Sequence, residues 1–95
     1  MPRFVLMCID KPGALDLRLA TREAHLAYVR DHMTGVRAAG PLLDADGAMC
    51  GSMFLIDADD EAQVEAFSQA DPYRQAGLFA RIDIRHWRQT VGEAI

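Results

Sequence analysis

The chain has 95 residues, of which 51% are hydrophobic and 25% are charged, a balance typical of one globular domain covering residues 1–95. Its formal net charge is −4, and the absence of a basic cluster argues against nucleic acid as a partner. No apolar run is long enough to span a bilayer, no basic amphipathic helix suits a membrane surface, and the opening apolar segment lacks a signal-peptide cleavage site. We therefore expect a cytoplasmic protein.

The first predicted elements are a buried strand and a long helix. The strand covers residues 3–10, a short apolar run closed by Lys11-Pro12-Gly13. Asp16 is predicted to cap the helix that follows, and Gly40-Pro41 is predicted to end it. Apolar residues recur along this helix at helical spacing and predict its buried stripe. The stripe comprises Leu19, Leu26, Val29, Met33 and Val36.

A β-hairpin is predicted next. Leu42-Leu43 opens the second strand, and Asp44-Ala45-Asp46-Gly47 has the composition of a tight turn, with Asp-Gly as its strongest signal. Residues 49–56 return as a third, mostly apolar strand. The short turn predicts that the second and third strands are antiparallel neighbours.

The last part of the chain predicts a second helix, a turn and a final strand. The helix runs from Asp59 or Asp60 to Ala70, and Asp71-Pro72 interrupts it. A short turn, which can be helical, then spans Tyr73 to Ala76 and stops at Gly77, and residues 78–87 alternate as a half-exposed strand.

The resulting order of elements is β-α-β-β-α-β. This order indicates an α+β fold of the ferredoxin-like type, in which both helices cover one face of an antiparallel sheet. The first and third strands are too apolar to leave the other face in water. We therefore expect a homodimer that buries the uncovered sheet faces against each other.

His25 and Asp71 are the candidate catalytic residues. An imidazole on the first helix can exchange protons near neutral pH. Because the two helices lie side by side over the sheet, a carboxylate at the end of the second can reach the imidazole and fix its tautomer. The two residues are thus predicted to form a general acid–base pair.

Four further residues are predicted to bind a ligand beside this pair. The helical wheel places Arg22 on the buried stripe, one turn before His25, at the edge of a cleft. Arg18 extends the same edge, and a guanidinium suits a carboxylate or an enolate-like oxygen. Ser52, on the third strand, is predicted to pack in the core or to hydrogen-bond a ligand, and Tyr73 is assigned a ligand contact.

The same residues also allow a purely structural interpretation. His25 can be a satisfied polar residue on a helix edge, and Asp71 can simply stop a helix. Arg18 and Arg22 can pair with Asp16, with Glu23 or with the terminus of a neighbouring element on a solvated face, where ion pairs contribute little. These alternatives stay open at the level of sequence.

Metal binding and disulfide formation have weaker support in the sequence. His25 and His32 are two helical turns apart, about 10 Å along the axis, too far to share one metal ion. We therefore predict neither a metal site nor a cofactor. Cys8 and Cys50 are expected to be thiols of a reducing compartment, and a disulfide between them requires their strands to be neighbours.

Five short motifs, in order along the chain, resemble the YciI-like (YCII-related) family. They are Arg18–Leu26, Ala39-Gly40-Pro41-Leu42, Gly51-Ser52, Asp71-Pro72-Tyr73 and Ala76-Gly77. The resemblance extends from the first strand to Trp87. It implies a dimeric α+β barrel built from ferredoxin-like protomers, with an active site around His25 and Asp71 and with Arg22, Ser52 and the Gly40-Pro41 turn as neighbours.

The resemblance also implies a class of chemistry. Relatives include a dehydrochlorinase of chlorinated hydroquinone breakdown, and the wider superfamily includes muconolactone isomerases and small monooxygenases. The expected function is that of a cofactor-independent lyase or isomerase acting on a small organic anion or phenol. The alternative is a non-catalytic module for small-ligand binding or assembly. The tail over residues 88–95 has no family role, and it can cross onto a partner subunit or stay disordered.

Overall fold

The computed structural model describes residues 1–32 and 34–95. The predicted β-α-β-β-α-β order is confirmed, with one short helix added before the last strand. The elements are β1 (Arg3–Asp10), α1 (Leu15–Asp31), β2 (Val36–Leu43), β3 (Met49–Asp57), α2 (Glu61–Gln69), α3 (Pro72–Gln75) and β4 (Phe79–Trp87).

The four strands form one antiparallel sheet in the order β2-β3-β1-β4, as in ferredoxin-like folds. Alternate residues of the central strands point toward the helices and form the core. On β1 these are Phe4, Leu6 and Cys8, which pack with Phe54 of β3 and Val64 of α2. The site described below is built between this face of the sheet and α1.

The first helix ends earlier than the sequence predicted. It stops at Asp31, and Val36 already belongs to β2. Gly35 makes the turn between them with a φ of 88°, and its carbonyl accepts a hydrogen bond of 2.7 Å from the Asp57 amide. Met33, which the predicted stripe included, lies outside the described residues.

The prediction that Gly40-Pro41 ends the helix was therefore wrong. Both residues lie within β2, and Leu42-Leu43 closes that strand instead of opening it. β2 is an edge strand, a position where proline is tolerated because one row of its backbone groups faces outward.

The buried face of α1 also differs from the predicted stripe. Leu19 and Leu26 are 52% and 38% exposed, whereas Arg18 and His25 are 2% and 8% exposed. Arg22 is exposed as well, so its predicted place on the buried stripe was wrong. The helical wheel failed because the buried positions of this helix carry polar side chains that find partners elsewhere in the fold.

The local signals for caps and turns were mostly correct. Asp44–Gly47 forms the hairpin turn, in which the Asp44 carboxylate accepts from two backbone amides. Asp60 caps α2 by accepting from the Gln63 amide at 3.0 Å. The cap predicted at Asp16 was wrong, because Ala14 occupies that position without a side-chain hydrogen bond and Asp16 lies in the first turn.

The two cysteines remain separate thiols. Cys8 is buried and faces Ser52 across the β1–β3 ladder, whereas Cys50 is partly exposed. None of the helices in the described part of the chain combines the length and the apolar character that crossing a membrane requires.

Candidate active site

His25 and Asp71 lie in contact, although 46 residues separate them in the chain. The Nδ1 atom of His25 is 2.8 Å from Oδ1 of Asp71, and both side chains are buried. The same carboxylate oxygen accepts the Tyr73 amide at 2.9 Å, which caps α3. Because an ionised carboxylate only accepts hydrogen bonds, we assign the proton of the neutral imidazole to Nδ1, which leaves Nε2 as a base.

The ring of Tyr73 stacks on one face of the imidazole. The two ring centroids are 4.0 Å apart with 18° between the planes, and Phe54 meets the imidazole edge-on at 6.1 Å. Tyr73 is 1% exposed, and burial raises the pKa of its hydroxyl although the charge of Arg18 opposes this. The proline-started helix α3 therefore fixes the imidazole twice, through the Asp71 carboxylate and through the Tyr73 ring.

A buried ion pair joins Arg18, which lies two turns before His25 on α1, to Asp10 at the end of β1. The Nε and Nη2 atoms of Arg18 donate to the two carboxylate oxygens of Asp10 at 2.7 and 2.9 Å. Nη2 also donates to Ser52 Oγ at 2.9 Å, and the guanidinium lies 4.5 Å from the centre of the Tyr73 ring. Burial works against the charge of Arg18, but the bonds and the charge of Asp10 outweigh it and raise the pKa of the guanidinium.

The side chains of Arg18, His25, Ser52 and Tyr73 line one cavity of about 270 Å³ between α1 and β2. Small-molecule sites are of this kind, apolar for most of their wall with a few polar groups that orient the ligand. The cavity would hold a single ring or a molecule of similar size. Its wall is formed by Arg18, Arg22, His25, Leu26, Val29, Val36, Arg37, Ala38, Ala39, Gly40, Pro41, Met49, Ser52, Phe54 and Tyr73.

The structure thus brings all six sequence-predicted site residues to one place. His25, Ser52, Arg18 and Tyr73 are buried in the cavity wall, and Asp71 lies directly behind His25. The cavity lining also includes Arg22, which is exposed to solvent.

Arg18 finds its partner at the end of a neighbouring element, which the purely structural interpretation allowed. It pairs with Asp10, the last residue of β1, and not with Asp16 or Glu23, and the pair is buried instead of solvated. Arg22 forms no ion pair with any described residue, and this leaves its guanidinium available at the cavity wall. Across residues 1–32 and 34–95, no three histidine, cysteine or carboxylate side chains are grouped so that they could hold a metal ion.

Sequence reasoning missed Asp10. One signal was available, since Asp10 falls on the same side of β1 as Phe4, Leu6 and Cys8 by strand alternation. A carboxylate on the buried face of a strand requires a cation or several donors, and Arg18 is the buried cation that it finds.

Comparison with known proteins gives consistent matches over nearly the whole chain. The sequence profile of the YCII-related domain matches residues 2–88. Protein YciI of Escherichia coli O6:H1 is 28% identical over 94 residues, which cover 90% of this chain and 96% of that protein. An uncharacterized protein of Haemophilus influenzae is 27% identical with the same coverage.

Two solved structures illustrate the similarity of the fold. The 5-chloro-2-hydroxyhydroquinone dehydrochlorinase of Burkholderia phenoliruptrix, in complex with 2,5-dihydroxybenzoquinone, superposes with a TM-score of 0.87. It is 32% identical in sequence, and the match covers 93% of this chain and 95% of the dehydrochlorinase. An antibiotic biosynthesis monooxygenase, 12% identical with a TM-score of 0.58, covers 96% of this chain and all of its own, and it shares the fold alone.

Proposed function

The chain belongs to the YCII-related family, and on that premise we propose that it is a small enzyme whose His25–Asp71 pair moves protons on a small organic anion or phenol. The proposal includes a cytoplasmic location and chemistry carried by the side chains of the chain itself. A lyase, an isomerase or a dehydrochlorinase can each use such a base for proton transfer.

The observation that carries the proposal is the hydrogen bond between His25 Nδ1 and Asp71 Oδ1 behind the cavity wall. It leaves Nε2, the nitrogen on the opposite side of the ring, as the atom that can act on a ligand. A base oriented by a buried carboxylate is a recurring arrangement in proton-transfer sites. Stacking against Tyr73 restrains the ring further.

The proposed chemistry begins with the removal of a proton from the ligand. His25 Nε2 takes this proton from an O–H or an activated C–H bond, and the resulting imidazolium is stabilised by the Asp71 carboxylate. Return of the proton to another atom of the ligand gives an isomerisation. In an elimination the leaving group departs as an anion with its bonding electron pair, and the imidazolium then releases the proton to water.

The other cavity residues suit a ligand with anionic or electron-rich oxygen. Arg22 can hold such an oxygen with a bidentate pair of hydrogen bonds. Ser52 offers a hydroxyl group, and the apolar remainder of the wall suits a ring. The similarity to a dehydrochlorinase solved with a dihydroxybenzoquinone supports small oxygenated rings as the class of compound to test first.

The test compares His25→Ala and Asp71→Asn with the unmodified protein on a panel of hydroxylated and chlorinated hydroquinones, phenols and small carboxylates. Turnover is followed by absorbance and chloride release. We expect both variants to lose activity by about 10²-fold or more while keeping the native circular dichroism spectrum. His32→Ala is the matched control, because His32 lies at the exposed end of the same helix and outside the cavity.

Full activity in both variants would refute the acid–base pair. A panel compound that raises the melting temperature of the unmodified protein and of His25→Ala alike, without any turnover, would favour the non-catalytic binding module instead.

A further inference from the structure

Asp10 is a buried carboxylate that the proton transfer proposed above does not use. It is the last residue of β1, and the pairing of β1 with β4 shifts its register between Ile9 and Asp10. Such irregularities often re-aim a side chain next to a functional site. The Asp10 side chain is 5% exposed and meets the 2% exposed side chain of Arg18 side-on, through the Nε and Nη2 atoms of the guanidinium.

The direction of each hydrogen bond along Asp10, Arg18 and Ser52 is fixed by the groups themselves. The carboxylate of Asp10 only accepts, and the guanidinium of Arg18 only donates. Nη2 of Arg18 has two hydrogens and two partners, Asp10 Oδ1 and Ser52 Oγ, both at 2.9 Å. Ser52 Oγ therefore accepts from Arg18, and its own hydroxyl hydrogen must point elsewhere.

No acceptor within residues 1–32 and 34–95 takes the hydroxyl hydrogen of Ser52. Ser52 belongs to the cavity wall together with His25. The cavity thus offers two groups of opposite sense, an imidazole nitrogen that accepts and a hydroxyl that donates. The donor is backed by a cation, which strengthens its bond to an anionic oxygen.

We infer that Asp10 is a positioning residue, which acts through Arg18 and Ser52 to hold a hydroxyl donor for the ligand oxygen that gains negative charge when His25 takes a proton. The inference rests on the proposed function and narrows its substrate class. The ligand needs two conjugated oxygen positions, one bearing or adjoining the proton that is removed and one that accepts from Ser52. A hydroxylated ring with a carbonyl or phenolic oxygen in conjugation meets this requirement.

The step balances without an oxidant or a reductant. Nε2 of His25 takes a proton from O–H or C–H, and the bonding electron pair moves through the conjugated system to the second oxygen. That oxygen becomes an oxyanion and accepts the hydrogen bond of Ser52, as donors do in other sites that stabilise developing charge. The proton returns from Nε2 to another atom of the ring.

The experiment measures binding of 2,5-dihydroxybenzoquinone by isothermal titration calorimetry, since this compound carries conjugated hydroxyl and carbonyl oxygens. We expect Asp10→Asn and Ser52→Ala each to weaken binding about tenfold or more, the effect of losing a charge-assisted hydrogen bond. In the Ser52→Ala background Asp10→Asn should add less than about twofold, because the two residues act in series. Glu65→Gln is the control, since Glu65 pairs with Arg74 at 2.9 Å and lies outside the cavity wall.

Three outcomes would overturn the inference. One is binding by Asp10→Asn equal to that of the unmodified protein, and another is an equal loss from Asp10→Asn with and without Ser52. Neither of these two outcomes contradicts the acid–base proposal, because that proposal is tested by the activity of the His25 and Asp71 variants. The third is failure of the unmodified protein to bind this compound, which removes the assigned substrate class.

A second variant keeps the test valid if Asp10→Asn alone fails to fold, since it leaves the Arg18 charge buried without a partner. The double variant Asp10→Asn/Arg18→Gln removes both charges. In that background Ser52→Ala should change binding by less than about twofold, because the hydroxyl is no longer held. A loss as large as in the unmodified protein would overturn the inference.

Discussion

Cys8 shows at the scale of a single residue how strongly this site is shielded from water. The side chain is 1% exposed and lies opposite Ser52 on the neighbouring strand. Burial raises the pKa of the Cys8 thiol from an ordinary value of 9.0 to about 12, and the charge of Asp71 adds to the shift while Arg74 and Arg18 oppose it. The thiol therefore stays neutral and is a poor nucleophile at neutral pH.

We predict that Cys50 reacts with iodoacetamide at pH 8 in the folded protein and that Cys8 does not, as read by mass spectrometry of tryptic peptides. At pH 8 the buried Cys8 thiol stays protonated, because its pKa lies well above this pH, whereas Cys50 is partly exposed. Denaturation should make both residues react alike. Equal alkylation of both cysteines in the folded protein would contradict the prediction.

The same shift has a defined consequence for stability. The pKa of Cys8 is raised in the folded state, so the neutral thiol contributes fully below about pH 9, and the contribution is lost as the pH rises toward 12. The free energy of unfolding of the unmodified protein, measured with urea, should therefore decrease with pH across this window more steeply than that of Cys8→Ala. Parallel slopes for the two proteins would show that the thiol is not held neutral.

Gly35 forms the turn between the end of α1 and the start of β2. Its φ of 88° is a conformation that residues with a Cβ rarely adopt, and an added Cβ would collide with the Asp57 carbonyl oxygen. The Asp57 amide donates to the Gly35 carbonyl at 2.7 Å, so β3 fixes this turn. The element boundary is therefore set by a contact that is distant in the sequence.

We expect Gly35→Ala to lower the free energy of unfolding by about 2 kcal/mol or more, as measured by urea unfolding. Gly40→Ala, within the β2 strand that follows this turn, is the control, because its φ is not positive and a Cβ there meets no atom within 4 Å. That variant should stay within about 0.5 kcal/mol of the unmodified protein. An equal loss from both substitutions would contradict the role assigned to Gly35.

Three of the strands, β1, β3 and β4, and the second helix could be predicted because their signals are local. Apolar runs closed by turn residues mark β1 and β3, and Asp60 followed by Gln63 marks the start of α2. The end of α1 could not be predicted in this way. Val36 continues the helical spacing in sequence, and only pairing with β3 assigns it to a strand.

The residue types and the order of elements were enough to predict the contact between His25 and Asp71, but not which arginine of α1 is buried. The β-α-β-β-α-β order brings Asp71 to His25, and the structure contains that contact at 2.8 Å. The wheel placed Arg22 on the buried stripe because it assumed that buried positions are apolar. Arg18 takes a buried position instead, since Asp10 at the end of β1 supplies the charge that lets it leave water.

The face of the sheet that the helices leave uncovered is apolar in the single chain. It carries the residues of β1 and β3 that alternate with the core, among them Val5, Met7 and Met53, which are only partly buried in a single chain. Leu55 lies on the same face and is 5% exposed. An apolar sheet face of this kind is suited to packing against a second copy.

We predict a homodimer at micromolar concentration, measured by size-exclusion chromatography with light scattering. Met53→Lys should shift the protein toward the monomer, because it places a charge between Met7 and Gly40 on the uncovered face. Leu19→Lys is the control, since Leu19 is 52% exposed on α1 and outside the cavity. A monomeric unmodified protein would contradict the prediction.

The two hydrogen bonds accepted by Oδ1 of Asp71 couple the formation of the site to the formation of α3. Oδ1 accepts from the backbone of α3 and from the His25 ring at once, so one atom is both the start of a helix and the anchor of the base. Local opening of this four-residue helix would release the imidazole in the same event. Assembly of the site therefore depends on α3, and transient loosening of this short helix would separate the base from its anchor.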